Sequence, residues 1–366
     1  MPSPIRVGFV GLSDAGWAST ALAPSLLATF AYRLTAVSTT SAATASASAE
    51  KYSAQLGQPV KSFHGSTAHI AGDPEVDLVV VSVKAPSHKD AVLPALDAGK
   101  AVFVEWPAGS NLQETTEMAE RARAKGARAA VGLQGRHSPV IRKVKELLDS
   151  GKIGKVLSTS LISMMPRDFG AWGPRVDERS RYIMDPSNGA TMLDVALGHQ
   201  LDICTHLLGD FASISATTSI IYPTATIIDA SGTPVESDVP VKAPDHVAFT
   251  GVLRSGAVAS VMCRGGYKST SGRKPFVWEI SGEEGVIRME GDSAFANIVD
   301  PVLWVNDERV EVAGSEPYVG SLKAQWAEIA KGEEGRYATL EDAVRNRKLL
   351  QMIDRSAKEG RRINLE

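Results

Sequence analysis

The sequence predicts an α/β protein, with an N-terminal doubly wound parallel sheet followed by an α+β domain carrying a large, mostly antiparallel open sheet. Three observations lead there. Short β-branched runs alternate with helical stretches through the first third, the pattern that right-handed crossovers produce. From about residue 212 to 312, β-rich segments are separated by hairpin-spaced breaks. The 366 residues also exceed one ordinary core, so two domains are expected, 1–133 and 134–366.

Residues 6–10 form a short apolar strand, followed by a Gly/Ser turn and a helix over 18–30. Residues 34–38 read as a second strand, and 42–56 as an Ala-rich helix. The run 76–83 lacks polar alternation, the mark of a strand buried on both faces. A helix over 87–98, a strand over 101–104, a helix over 112–125 and a strand over 129–133 close the series. In the second half, 140–148 is a helix stopped by Ser150-Gly151, and 192–208 is another. Ser255-Gly256, Glu283-Glu284-Gly285 and Asn306-Asp307 punctuate the antiparallel strands, and helices return at 321–329 and 340–358.

Composition removes several function classes. Hydrophobic residues make up 43% and charged residues 22%, an ordinary globular balance. Lys plus Arg number 39 against 42 Asp plus Glu, so a net charge of −3 leaves no footprint for direct nucleic-acid binding or an anionic membrane. No apolar run reaches the roughly 20 residues of a spanning helix. Cys204 and Cys263 build neither a disulfide framework nor a zinc knuckle, and no His/Asp/Glu grouping has metal-ligand spacing. Met1-Pro2-Ser3-Pro4 runs directly into a strand and leaves no room for a signal peptide. A cytoplasmic protein with a small-molecule ligand is the expectation.

The chemistry starts at Gly11-Leu12-Ser13-Asp14-Ala15-Gly16, between a buried strand and a helix. This is a dinucleotide fingerprint with Ser13 in place of the second glycine. A sharp turn at Gly11 followed by free amides facing a helix start suits a pyrophosphate. At the end of the second strand an acidic residue usually grips the adenine ribose of NAD. Here stand Ser38-Thr39-Thr40-Ser41, and hydroxyls without a repelling carboxylate tolerate a 2′-phosphate, so NADP is slightly preferred over NAD. Ser82 to His88 and Glu105-Trp106-Pro107 follow successive parallel strands, at the carboxyl ends where open α/β sheets bind ligands.

These segments, with Gln134-Gly135-Arg136-His137-Ser138-Pro139 and the helix ending Gly151-Lys152-Ile153-Gly154, resemble the Gfo/Idh/MocA oxidoreductase family nearly end to end. The resemblance implies an N-terminal Rossmann domain and a C-terminal open sheet. It also implies a cofactor site made of Gly11, Leu12, Ser13, Gly16, Trp17, Ser38, Thr39, His88, Glu105, Trp106, Pro107 and Gln134. Gly11 to Trp17, Val104-Glu105-Trp106, Gly198 to Ile203 and Pro244-Asp245-His246 also resemble the family's branch of galactose-regulon repressors, which binds NAD(P) without a known dehydrogenase role. This chain is shorter than that branch.

The departures bear on mechanism. Family dehydrogenases have a Lys between Glu and Pro, where its ammonium assists proton transfer. Here Trp106 occupies that place, and an indole donates no proton in acid–base work. The family's Asp-x-x-x-His runs here from Asp194 to His199, one residue longer, and on a regular helix five residues rotate by about 140°. Either a local bulge restores the pair or Asp194 is not the partner. His199 is the leading general acid/base, its free pKa lying near working pH, and Lys84 is a substitute for the missing lysine. Arg167, Trp172, Arg181 and Tyr182 lie in the Gly/Pro-rich segment 166–188, a candidate wall for a substrate pocket. The implied function is an NAD(P)-dependent oxidoreductase of sugar-like or other hydroxy/carbonyl small molecules. A non-catalytic regulator with a protein partner and a nucleotide-retaining lyase or isomerase are the alternatives. A sheet face left uncovered by helices predicts a homodimer.

Overall fold

The computed structural model describes residues 3–365; Met1 and Pro2 of the N-terminal stretch, and Glu366, lie outside the described residues. Two compact units emerge. One comprises the described residues up to Gln134 together with Tyr318–Arg345, the other Gly135–Pro317 together with the residues from Asn346 onwards.

In the first unit, β1 (Ile5–Val10), β2 (Tyr32–Thr39), β3 (Lys61–His64), β4 (Leu78–Val81), β5 (Ala101–Val104) and β6 (Ala129–Val131) form one parallel sheet in the order β3-β2-β1-β4-β5-β6. The order reverses between β1 and β4, which creates a switch point at the carboxyl ends of those strands. β4 is buried along its length, as its unbroken apolar run requires. Its crossovers include α1 (Ala23–Leu27), α2 (Ala42–Leu56), α3 (Thr67–Ala71), α4 (His88–Asp97) and α5 (Leu112–Lys125). Ser41 caps α2 and Asn111 caps α5, each side chain accepting an amide of the first turn.

Tyr318–Arg345, expected in the second domain, packs within this first unit. Its helix Gly320–Ile329 delivers Trp326, fully buried, against Phe103 (centroids 4.5 Å apart) and Tyr32 (5.6 Å), and the indole Nε1 donates to Ser25 Oγ at 3.0 Å. Trp326→Ala is expected to cost about 3–5 kcal/mol through the cavity it leaves. Denaturant unfolding checks this, and a loss below 1 kcal/mol would remove the segment from the core of the unit.

The second unit holds α6 (Pro139–Asp149), α7 (Gly198–Leu208) and a nine-stranded sheet. The sheet strands, in chain order, are β7 (Val156–Pro166), β9 (Phe211–Ser219), β12 (His246–Leu253), β13 (Val258–Tyr267), β14 (Phe276–Gly282), β15 (Val286–Gly291), β16 (Val302–Val305), β17 (Glu308–Val310) and β18 (Ile363–Asn364). A small separate sheet contains β8 (Arg175–Asp177), β10 (Thr224–Ile228) and β11 (Pro234–Pro240). The large sheet runs β17-β16-β15-β14-β7-β13-β12-β9-β18, antiparallel except where β7 pairs with β13. Alternate residues of β13 are buried (Ala259, Val261, Cys263) and exposed (Val258, Ser260, Met262), so one face is core and the other open. Among the described residues no helix is long and apolar enough to cross a membrane.

Candidate functional site

β1 leads straight into Gly11, whose φ of 90° is open to glycine, and a Cβ there would lie 2.2 Å from the Ser82 carbonyl oxygen. Its amide donates to the Ser38 carbonyl at 2.8 Å, which ties the turn to the end of β2. Leu12 is fully buried and contributes main chain only, its carbonyl accepting from Ser48 Oγ at 2.7 Å. The amides of Ser13, Asp14, Ala15 and Gly16 donate to no other residue among the described residues. Gly16 has a φ of 99°, and among the described residues no atom beyond its chain neighbours lies within 4 Å of where its Cβ would stand. Helical turns follow immediately, a π turn at Ala18–Leu22 running into α1. Free amides, open space and a helix start are the features an anionic diphosphate requires, so the residues fit a dinucleotide.

At the end of β2, Ser38 is buried and offers its carbonyl to the turn. Thr39, Ser41 and Thr44 form a hydroxyl cluster, with Thr39 Oγ1 2.6 Å from Thr44 Oγ1. Arg33 stands opposite Arg6 in the register of β1 and β2, at the end of the strands away from this cluster.

Trp17 Nε1 donates to Glu105 Oε1 at 2.9 Å, joining the turn after β1 to the exit of β5. Glu105 Oε2 accepts from the Trp106 amide at 3.2 Å, and a Cβ on Gly132 would meet that oxygen at 2.3 Å. Burial pushes the Glu105 carboxyl up to about 7, against the two hydrogen bonds that favour its ionised form. A raised carboxyl stabilises the fold below its unfolded value and loses that contribution as pH climbs to about 7, by about 3 kcal/mol for such a shift. Glu105→Gln keeps an acceptor for Trp17 and is expected to flatten the fall in stability between pH 5 and pH 8. Denaturation at the two pH values measures it, and an unchanged slope would contradict the assignment.

Trp106 is buried and joined to Pro107 by a cis peptide bond. His88, 1% exposed, places Nδ1 2.8 Å from the Pro107 carbonyl oxygen and Nε2 2.9 Å from that of Val83. Its ring therefore ties the exits of β4 and β5 together from within the unit. Lys84 is exposed where β4 leaves the sheet, and Gln134 is buried with Oε1 lacking a donor among the described residues.

In the second unit the long Asp194–His199 interval has a structural cause. Leu193–Leu197 is a π turn, with the Leu197 amide donating to the Met192 carbonyl at 3.0 Å, and it absorbs the extra residue before α7. Asp194 Oδ2 accepts from the amide and hydroxyl of Thr191, and Oδ1 lies 2.5 Å from Nη1 of the buried Arg347. Asp194 thus anchors the helix start to Arg347. His199 lies in the first turn of α7, where burial of its imidazole lowers it to about 4, below the working pH at which a free histidine titrates, and keeps it neutral at pH 7. A second pair, not apparent in the sequence, joins Arg136 to buried Asp202, with Nε to Oδ2 at 2.9 Å and Nη2 to Oδ1 at 2.6 Å.

In the segment 166–188, Arg181 pairs with Glu236 and Tyr182 is partly buried. Trp172 stacks on Phe169 with centroids 6.0 Å apart, and both rings pack near Phe295. Cys204 and Cys263 are buried, which pushes both thiols up to about 12, so neither is a thiolate at neutral pH.

A family model described as an oxidoreductase family with an NAD-binding Rossmann fold matches residues 5–133, and one described as the Gal80p C-terminal domain matches residues 139–291. A dehydrogenase of Aspergillus oryzae, aclE, is 33% identical over 372 residues, covering 98% of this chain and 98% of that protein. The chain belongs to the Gfo/Idh/MocA oxidoreductase family. This family member is also 30% identical to the galactose/lactose metabolism regulatory protein GAL80 of Saccharomyces cerevisiae, over 84% of this chain and 71% of that one. A solved structure of a super-repressor mutant of Gal80p from the same yeast superposes with a TM-score of 0.88 at 27% identity, covering 99% of this chain and 98% of that one.

Proposed function

We propose that this member of the family is an NAD(P)-dependent oxidoreductase acting on a sugar-like or other hydroxy/carbonyl small molecule. The carrying observation is the run of unengaged amides after β1, in a chain that matches a dehydrogenase over 98% of both lengths. The amides from Ser13 to Gly16 would hold the diphosphate. Thr39 and Ser41 present hydroxyls and no carboxylate toward a 2′-phosphate, which favours NADP slightly over NAD. Gln134 Oε1, an acceptor without a donor among the described residues, suits a carboxamide N–H. When bound, the nicotinamide supplies hydride transfer. His199, neutral at pH 7, accepts a substrate hydroxyl proton as general base, and Lys84 is the second proton-carrying candidate. Asp194 serves as a positioning residue through Arg347.

The test is to supply NADPH or NADH, and the oxidised forms, with a panel of aldoses, polyols and carbonyl compounds and follow the absorbance of reduced coenzyme. Turnover with at least one substrate is expected. A second reading, a coenzyme-binding regulator with a protein partner, is favoured by Trp106 in the lysine position and by the match to the Gal80p C-terminal domain. Saturable coenzyme binding with no turnover across the panel would select it.

The open sheet face supports a homodimer. Thr217, Ala248, Met262, Ile162 and Val277 follow one another across five strands in a single uncharged row, with Met262 and Ile162 exposed. Sedimentation is expected to give a dimer for the wild type and a monomer for Met262→Glu. A monomeric wild type refutes it.

A further inference from the structure

Two arginines at one end of the nine-stranded sheet share one sulfur atom. Arg264 of β13 stands between His246 of β12 and Met164 of β7 in the strand register. Its Nη2 lies 3.0 Å from Met164 Sδ, and Nη2 of Arg273, from the connection between β13 and β14, lies 3.7 Å from the same atom. A thioether is a weak acceptor and neutralises neither charge. Among the described residues neither guanidinium has a carboxylate within 4.0 Å. Two acids next to paired strand residues are committed elsewhere: Asp245 accepts from the amides of Ile221 and Tyr222 and lies 2.8 Å from His246 Nδ1, and Asp292 pairs with Lys274. Arg264 Nε is buried and has no acceptor among the described residues. Arg273 is held from its other side, its guanidinium carbon 5.3 Å from the centre of the Tyr267 ring.

Two like charges converging on one soft atom, with a buried N–H unmet among the described residues, favour an anionic oxygen as their neighbour. We propose that Arg264 and Arg273 form an oxyanion-binding site for a carboxylate or phosphate group of a small solute, floored by Met164. Two guanidinium forks suit such a group better than ammonium groups would, because each presents paired donors to paired oxygens.

Inorganic phosphate is the probe, added at constant ionic strength to the full chain with saturating NADPH so that the turn after β1 does not compete. Phosphate is expected to raise the thermal midpoint of the wild type saturably. Arg264→Met and Arg273→Met should each weaken the response at least tenfold in phosphate concentration, and the double variant should lose it. In phosphate-free buffer Arg273→Met should unfold no earlier than the wild type, since a like charge has been removed; a purely structural arginine predicts earlier unfolding there. A double variant that keeps the wild-type response overturns the site. So does a wild type without a response whose self-association weakens in the double variant, because the arginines then serve an acidic side chain of a second copy.

Discussion

Gly11→Ala is expected to abolish coenzyme binding and to cost about 3–5 kcal/mol of stability. A Cβ at position 11 would sit 2.2 Å from the Ser82 carbonyl oxygen and 2.7 Å from Val83 Cγ1, and the main-chain oxygen cannot turn aside as a side chain would. The backbone there also has a φ of 90°, which costs a non-glycine residue about 1–3 kcal/mol by itself. The turn must therefore move, and its amides move with it. Gly16→Ala separates the loss of binding from the loss of folding. Its φ of 99° imposes the backbone cost alone, because among the described residues no atom beyond the chain neighbours lies within 4 Å of the new methyl. That variant should fold, with a stability loss of about 1–3 kcal/mol. It should bind NADPH at least about tenfold more weakly, a loss of about 1.4 kcal/mol in affinity, because the methyl occupies space a phosphate needs. Denaturant unfolding and coenzyme titration measure the two effects on the same samples. Equal affinity in wild type and Gly16→Ala would place the coenzyme elsewhere.

His199→Asn should lower kcat by about 10²–10⁴ while leaving coenzyme affinity unchanged, the size expected when a general base is removed. The pH profile carries the sharper signature. Burial lowers the imidazole to about 4, so the basic form is already complete at pH 6. Activity limited by His199 should stay level from pH 6 to pH 8 and fall only as the pH drops toward 4. A fall centred near pH 6.5 would describe an ordinary, solvated histidine. An unaffected kcat in His199→Asn would move the proton to Lys84, whose replacement by Met would then carry the loss.

The parallel sheet of the first unit is legible because its strands are short β-branched runs buried on both faces. Lys61–His64 escapes such a reading: it is an edge strand with mostly exposed, polar residues. Val156–Pro166, which lies inside the large sheet, escapes it for another reason. Its buried register includes Thr159 and Ser163, and the apolar period is broken. Both hydroxyls have internal partners: Thr159 donates to the Glu279 carbonyl and accepts from Trp278 Nε1, and Ser163 donates to the Ala294 carbonyl. Only the folded sheet shows that they belong inside. Trp326 misleads in a third way, because an amphipathic helix does not name the core it packs against, and this one returns across nearly the whole chain.

The site divides along the same line. Gly11 and Gly16 are visible as letters, since a sharp turn and an open approach need glycine wherever they occur. The extra residue between Asp194 and His199 signals a bulge, and the π turn at Leu193–Leu197 is its form. The pairs Trp17–Glu105, Asp194–Arg347 and Arg136–Asp202 join residues 66 to 153 positions apart. Local pattern holds no information at such separations, and each pairing is fixed by strand order and helix docking.

The most direct measurement is a calorimetric titration of the wild-type chain with NADPH and, separately, NADH. One saturable site per chain is predicted, with the NADPH affinity at least equal to that for NADH and with Gly16→Ala weakened against both. Heats no different from dilution for either nucleotide would contradict a coenzyme held by the amides after β1.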